Sequence, residues 1–300
     1  MRFLFRTLFF TLFILSYTHS GFSQDKVKSL KVMTYNIWNG FDWGKDTTRQ
    51  ENLIQWVKEQ NPDVLAVQEL CGYDEEKLRK DAAKWGHPYV HILKEGGYPT
   101  ALTSKEPIEL IEKNVENFWH GLLHVKTFGI DFFVVHLSPA DSDTRLREAK
   151  QIKSRIQELQ SDSYIILGDF NTQSPFDAYW LESKKELKAG MLARQNEEYS
   201  NLRLGEFDYA PMAEFLSIPA IDLSLGKADL EESFTFPTPA LIGLYDQTSE
   251  TILQTRVRID YILASPTLAQ TCSYVKFFNQ GAAEKLSDHF PVMAEFQIDK

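Results

Sequence analysis

The chain has 300 residues, of which 43% are hydrophobic and 13% aromatic. That excludes a disordered polypeptide and suits one large α/β domain or two small ones, with a sizeable core. The formal net charge of −10 argues against non-specific grip on duplex nucleic acid as the main task, because that work needs Lys and Arg to displace counterions. It leaves room for a local basic groove, and it does not oppose holding a phosphate through a metal ion.

In chain order, the first stretch is "MRFLFRTLFFTLFILSYTHSGFSQ". Arg2 and Arg6 precede an apolar core from Leu8 to Leu15, and Ser20, Gly21 and Ser23 close it. This is the layout of a signal peptide spanning residues 1–23, cleaved after Ser23. An uncleaved anchor is the alternative, but the apolar run between Arg6 and His19 is short of the roughly 20 residues a span needs. The mature chain, residues 24–300, is then expected to be secreted or periplasmic, without a transmembrane segment and monomeric. Cleavage removes two Arg and no acid.

Six apolar, β-rich runs follow: "LKVMTYNIW", "DVLAVQEL", "DFFVVHLS", "YIILGDF", "RIDYILA" and "FPVMAEFQI". Their lengths and Val, Ile and Phe content predict strands, several buried on both faces. Between the first two, "DTTRQENLIQWVKEQN" predicts a helix with Leu53, Ile54, Trp56 and Val57 on one side, stopped by Asn61-Pro62. "SDTRLREAKQIKSRIQELQ" predicts another, with Leu146, Ala149, Ile152, Ile156 and Leu159 inward and charges on the other faces. From Ser174 to Thr255 the pattern predicts a helix near Phe176–Arg194 and then Pro- and Gly-punctuated segments, together a long excursion over the strand ends. Strands and helices mix throughout, and no repeat or linker divides them. One layered α/β domain is expected from about residue 25 onward.

Each apolar run carries a polar group within or near its end: Asn36, Glu69, His136, Asp169 with Asn171, Asp260, and the pair Asp288 and His289. Singly, each has a plain explanation as a turn cap or a hydrogen-bonded structural residue. Together they are harder to dismiss, since uncompensated carboxylates at buried strand ends are costly. If they converge, a hard divalent cation is the economical reason: Mg2+ takes one or two carboxylates plus waters and phosphate oxygens. The two histidines would then donate to a developing phosphorane and assist a leaving group. No Cys joins the set and no HExxH spacing occurs, so zinc is not indicated. Cys71 and Cys272 make no metal framework. Export would permit a disulfide between them, and unpaired buried thiols are at least as compatible with the spacing.

In order, "MTYNIW", "NPDVLAVQEL", "VVHLSP", "LGDFN", "RIDYIL" and "LSDHFPV" resemble the endonuclease/exonuclease/phosphatase superfamily. That superfamily includes deoxyribonucleases, abasic-site endonucleases, neutral sphingomyelinases and inositol-polyphosphate 5-phosphatases. The resemblance implies a DNase I-like four-layer α/β/β/α sandwich of two mixed sheets, with the active site among loops at one edge. It implies Glu69 as the principal Mg2+ ligand (Mn2+ possible), with Asn36 beside it and Asp288 supporting the metal region. It implies that Asp169 orients or deprotonates the attacking water and that Asn171 holds the phosphate. His289 would contact the scissile phosphate, with Asp260 fixing its tautomer. His136 matches the second histidine of the deoxyribonuclease and sphingomyelinase branches and sets the chain apart from the abasic-site enzymes.

The reaction so implied is in-line attack of water on a phosphate ester, most simply a phosphodiester. The substrate is left open among a small molecule, a lipid head group and a nucleic acid, and no stable protein partner is implied. "FPTPALIGLY", Phe236 to Tyr245, offers apolar residues to lipid or packs as a loop. The second is preferred, because no basic amphipathic helix accompanies it. "FWHG", Phe118 to Gly121, either lines the pocket or begins a strand. Lys105 stands near the segment where family members often carry a phosphate-binding Arg. The competing class is a non-catalytic binding protein on the same scaffold.

Overall fold

The protein is described here by a computed structural model covering residues 28–298; the expected signal peptide lies outside these residues. Fourteen strands occur among them: β1 (Lys28–Asn36), β2 (Val64–Gln68), β3 (Tyr89–Ile92), β4 (Ala101–Ser104), β5 (Glu109–Asn114), β6 (Leu122–Thr127), β7 (Ile130–His136), β8 (Tyr164–Asp169), β9 (Leu202–Arg203), β10 (Glu206–Phe207), β11 (Ile221–Asp222), β12 (Asp260–Ala264), β13 (Cys272–Phe277) and β14 (Val292–Ile298). Twelve of them form two six-stranded sheets, ordered β13-β14-β1-β2-β4-β3 and β11-β12-β8-β7-β6-β5. Each sheet is antiparallel except for one parallel pair, β1 with β2 and β7 with β8. The fold is the expected DNase I-like α/β/β/α sandwich.

Alternation along the strands builds the layers. Leu30 and Val32 on β1, Val64 and Ala66 on β2, Phe132 and Val134 on β7, and Ile165 and Leu167 on β8 face inward and join the two sheets. The intervening residues face the helices. Met33, Tyr35, Leu65 and Val67 meet the helices Thr47–Gln60 and Glu75–Lys84. Phe133, Val135 and Ile166 meet the helices Ser142–Gln157 and Ala210–Leu216.

The helix Thr47–Gln60 starts at Asp46, whose carboxylate accepts the Arg49 N–H at 2.9 Å, and ends at Asn61 in the left-handed conformation. Its four predicted apolar residues are all buried. The helix Ser142–Gln157 differs from expectation. Its buried face comprises Ser142, Arg145, Glu148, Ala149, Ile152 and Ile156, so two charged residues point inward while Leu146 and Leu159 stay half-exposed. The expected helix over Phe176–Arg194 is broken into a 3-10 turn at Pro175–Asp177 and two helices, Ala178–Leu181 and Lys185–Arg194. The excursion is also less detached than expected. Its helix Ala210–Leu216 packs on Ser142–Gln157, and β11 extends the second sheet.

Both cysteines are free and buried. Lys105 does not serve the phosphate site: it pairs with Asp63 Oδ1 at 2.9 Å at the start of β2, the opposite end of that strand from Glu69.

Candidate active site

The two parallel pairs explain why the polar groups meet. In each pair both chains run toward the same edge, so β1 and β2 deliver Asn36 and Glu69 there, and β7 and β8 deliver His136 and Asp169. The antiparallel neighbour β12 begins at that edge, placing Asp260 opposite Asp169 in register. The loop ahead of β14 brings Asp288 and His289. Gly168 permits the tight β7–β8 pairing just before Asp169. Its φ is 141°, and a Cβ there would sit 1.9 Å from the Val135 carbonyl oxygen.

Asp169 is the hub. Its Oδ2 accepts from Asn36 Nδ2 at 3.1 Å and lies 3.5 Å from His136 Nε2 and 3.7 Å from His289 Nε2. Its Oδ1 accepts the Asn171 N–H at 2.9 Å. His289 Nδ1 is 2.9 Å from Asp260 Oδ2, and its ring leans on Phe236. Asn36 Nδ2 also reaches Glu69 Oε1 at 3.2 Å. The Asn171 carboxamide donates one N–H to the Leu137 carbonyl at 3.0 Å, leaving the other free. Asp288 is half-buried and receives the Ser287 hydroxyl at 3.3 Å. The structure thus brings all eight expected site residues to one edge.

Burial and charge push the titratable groups in different directions. Burial would neutralise His289, but the Asp260 and Asp169 carboxylates outweigh it and hold the imidazole well above its ordinary pKa, hence charged. His136 is driven the other way by burial and by the neighbouring His120 and His289, so it is neutral. Asp169 and Asp288 are both raised, chiefly by burial, with the negative charge of Glu69 contributing to each. Carboxylates crowded in this way fit a divalent cation. Glu69 is half-exposed, each of its oxygens accepts one hydrogen bond, and lone pairs remain. Asp169, Asp260 and His289 also offer ligand atoms within 4.8 Å of one another. His289 Nδ1 and Asp260 Oδ2 are already engaged with each other at 2.9 Å, so the freer lone pairs for a cation lie on the Glu69 side.

Several site elements were not expected. Residues Trp38–Gly44 form a left-handed helical turn with φ from 51° to 84°. This conformation costs roughly 1–2 kcal/mol for each non-glycine residue. The turn aims the Asn39 N–H at Glu69 Oε2, 2.7 Å away. Arg49 clamps it through the carbonyls of Ile37 and Trp38. Gly40 is obligatory, because a Cβ would meet the Cys71 oxygen at 2.0 Å. Of the two readings of "FWHG", the structure shows the first: His120 lines the site and stacks on His136 with ring centroids 4.0 Å apart, and the strand starts only at Leu122. Glu148 accepts the N–H groups of Trp119 and Ser138 at 2.6 and 2.9 Å, joining the segments that carry His120 and His136. No sequence signal marked Glu148, because periodicity assigns charge to the outer face of this helix.

Residues 33–289 match the Endonuclease/Exonuclease/phosphatase family. The chain is 25% identical over 291 residues to exodeoxyribonuclease III of Haemophilus influenzae, covering 89% of this chain and 100% of that protein. Among solved structures it resembles an AP endonuclease from Archaeoglobus fulgidus (TM-score 0.66, 23% identity, 90% of this chain and 100% of that one). It also resembles a 3' phosphatase from Neisseria bound to product DNA hairpin (TM-score 0.65, 18% identity, again 90% and 100%). At these identities the structures establish the shared fold and leave the substrate open. The match over nearly the whole described chain establishes more: this protein belongs to the endonuclease/exonuclease/phosphatase family and is a metal-dependent phosphoric ester hydrolase.

Proposed function

We propose that the protein is an exported Mg2+-dependent phosphodiesterase, with Mn2+ able to substitute, that hydrolyses a P–O bond by in-line attack of water. The observation that carries this reading is the position of Asp169, at the junction of Asn36, His136 and the His289–Asp260 dyad. A buried carboxylate with a raised pKa is a competent acceptor for a water proton. The charged His289 faces the same point and stabilises negative charge building on the phosphoryl oxygens. The neutral His136 offers a hydrogen bond, not a proton, to a phosphate oxygen or to the leaving-group oxygen, and Asn171 uses its free N–H to hold the phosphate. Glu69, Asn36 and Asp288 would hold the cation, which supplies charge neutralisation at the phosphate. Two imidazoles pushed in opposite directions beside one carboxylate support a division of acid–base labour.

A nuclease is the second reading, favoured by the DNA-processing relatives. Against it, the excursion over residues 174–255 holds six Lys and Arg against fourteen Asp and Glu, a poor counterion-displacing surface. Export rests on the N-terminal layout alone, and N-terminal sequencing of the native protein, expected to begin after Ser23, tests it.

The test of catalysis is hydrolysis of bis-p-nitrophenyl phosphate by residues 24–300 with Mg2+ or Mn2+, with chelator, and by Asp169→Asn. Metal-dependent release that the variant lacks is expected. Equal release by the variant would remove Asp169 from the mechanism.

A further inference from the structure

Beside the phosphate site the excursion encloses a cavity of about 230 Å3. Asn171 forms its inner edge, and Phe236, which leans on His289, closes one side. Met191, Leu241 and Val257 supply apolar walls. Arg145 also lines it and is 2% exposed. Its Nη1 donates to the Ser138 carbonyl at 2.8 Å and its Nη2 to Ser142 Oγ at 3.1 Å. Its Nε–H has no partner, and it makes no ion pair among the described residues.

Arg258, equally buried, shows what a structural arginine looks like in this protein. It binds both oxygens of Asp177, at 3.0 and 2.9 Å, and pairs with Asp222 at 2.9 Å. Burial lowers Arg145 to about 10, so it remains charged at neutral pH. The Asp208, Asp141 and Glu148 carboxylates act on it from a distance, but none pairs with it directly. A buried guanidinium N–H left unpaired is costly, and a ligand that brings an anion to it removes that cost. The cavity is smaller than the roughly 300–1,000 Å3 of pockets that enclose drug-sized ligands. It therefore suits one compact group and not a polymer backbone.

We propose that this cavity receives the alcohol moiety of a small phosphodiester, a compact and largely apolar group bearing one anionic substituent that Arg145 recognises. The inference rests on the phosphodiesterase reading of the adjoining site. It makes the enzyme selective for small anionic diesters over nucleic acid, and it assigns Arg145, Met191 and Phe236 to substrate choice.

The test compares two ligands, benzyl p-nitrophenyl phosphate and its 4-carboxybenzyl analogue, titrated calorimetrically in Mg2+ against Asp169→Asn protein to prevent turnover. The carboxylated diester should bind about tenfold tighter or more, as a charge-assisted hydrogen bond in a dry pocket implies. Adding Arg145→Gln should reduce the difference to about twofold. Because that change can also impair folding, Met191→Trp, which fills the cavity from a half-exposed position, carries the decision and should abolish the preference as well. Equal affinity for the two diesters, no binding of either, or a preference that survives Met191→Trp overturns the proposal. The phosphodiesterase reading is judged separately, by metal-dependent hydrolysis of methyl p-nitrophenyl phosphate by the unaltered protein. That compound carries no anionic substituent for Arg145 to recognise.

Discussion

Two buried His–Asp pairs in this protein have the same 2.9 Å separation and opposite surroundings. His289 and Asp260 stand at the candidate site, where Asp169 and Asp288 also face the imidazole and Phe236 leans on it. His124 and Asp131 lie toward the other end of the β6–β7 hairpin, with Lys126 3.6 Å from the carboxylate and the ring stacked on Phe133. Asp131 and His136 are five residue steps apart on one strand, roughly 16 Å. A short His–Asp hydrogen bond is therefore no signature of catalysis by itself. Surplus carboxylate around His289 holds it charged and gives it something to act upon, while the distal pair is satisfied within the sheet.

Substitution is the strongest way to break this comparison. His289→Ala should lower turnover of bis-p-nitrophenyl phosphate about 1,000-fold, through loss of both proton handling and transition-state charge stabilisation. His124→Ala should leave kcat/KM within about twofold and show itself in melting, at a cost of about 1–3 kcal/mol for the stranded partner. If the two variants lost activity equally, the assignment of His289 would fall. One step smaller, Asp260→Asn should cost about 10–100-fold in kcat, as loss of an orienting carboxylate does. It should also move the basic limb of the pH–rate profile to lower pH, since the charge that holds the imidazolium is gone. Asp131→Asn should do neither.

The comparison sharpens further with pH. Asp169 and Asp288 are raised to about 7 in the folded protein, against about 3.9 unfolded. Their contribution to stability is complete below pH 4 and is lost as pH rises through about 7. His289, raised above its unfolded value of about 6.5, acts in the same sense at higher pH. Metal-free protein should therefore melt lower at pH 8 than at pH 5. Mg2+ should raise Tm by several degrees at pH 8 and much less at pH 5, where protons occupy Asp169 and Asp288. Glu69→Ala should remove the Mg2+ effect. A Mg2+ shift independent of pH would place the ion elsewhere.

The convergence of the candidate site residues was legible in the sequence because they interrupt apolar runs. His136 and Asp169 terminate fully buried strands, Asn36 ends a run buried from Val32 onward, and Asp260 opens a buried strand. Less was legible where the chain departs from local rules. Nothing in "WNGFDWG" beyond Asn39 and two glycines announces a left-handed turn. That conformation persists because Arg49 and Glu69, distant in sequence, hold it. Arg145 and Glu148 were hidden by periodicity, which assigns charge to the outer face of an amphipathic helix. Their burial follows from backbone groups on neighbouring loops that need partners. The break near Ser183 in the predicted Phe176–Arg194 helix had no Pro or Gly to mark it.

The smallest expected effect concerns His120, and it again contrasts the two regions. Both carry a stacked histidine: His124 lies on Phe133 at 4.1 Å and 19°, His120 on His136 at 4.0 Å and 18°. In the distal pair the stack only fills space. At the site it bears on a residue that must point Nε2 toward Asp169 while its Nδ1 lacks a protein partner, so the plane of the ring is set largely by what lies against it. His120 Nε2 is likewise unpartnered, and burial lowers the group to about 3. It therefore acts as a neutral aromatic plate and as a positioning residue. Aromatic contacts of this kind are worth about 0.5–1.5 kcal/mol, which corresponds to a loss of about 2–10-fold in kcat for His120→Ala. His120→Phe keeps the plate and removes the nitrogens, so it should restore most of that activity with the pH profile unchanged. A titrating role for His120 predicts the reverse: Phe as damaging as Ala, with one limb of the profile lost. The Ala/Phe pair assayed across pH 5–9 separates the two, because only positioning survives the exchange of one flat ring for another.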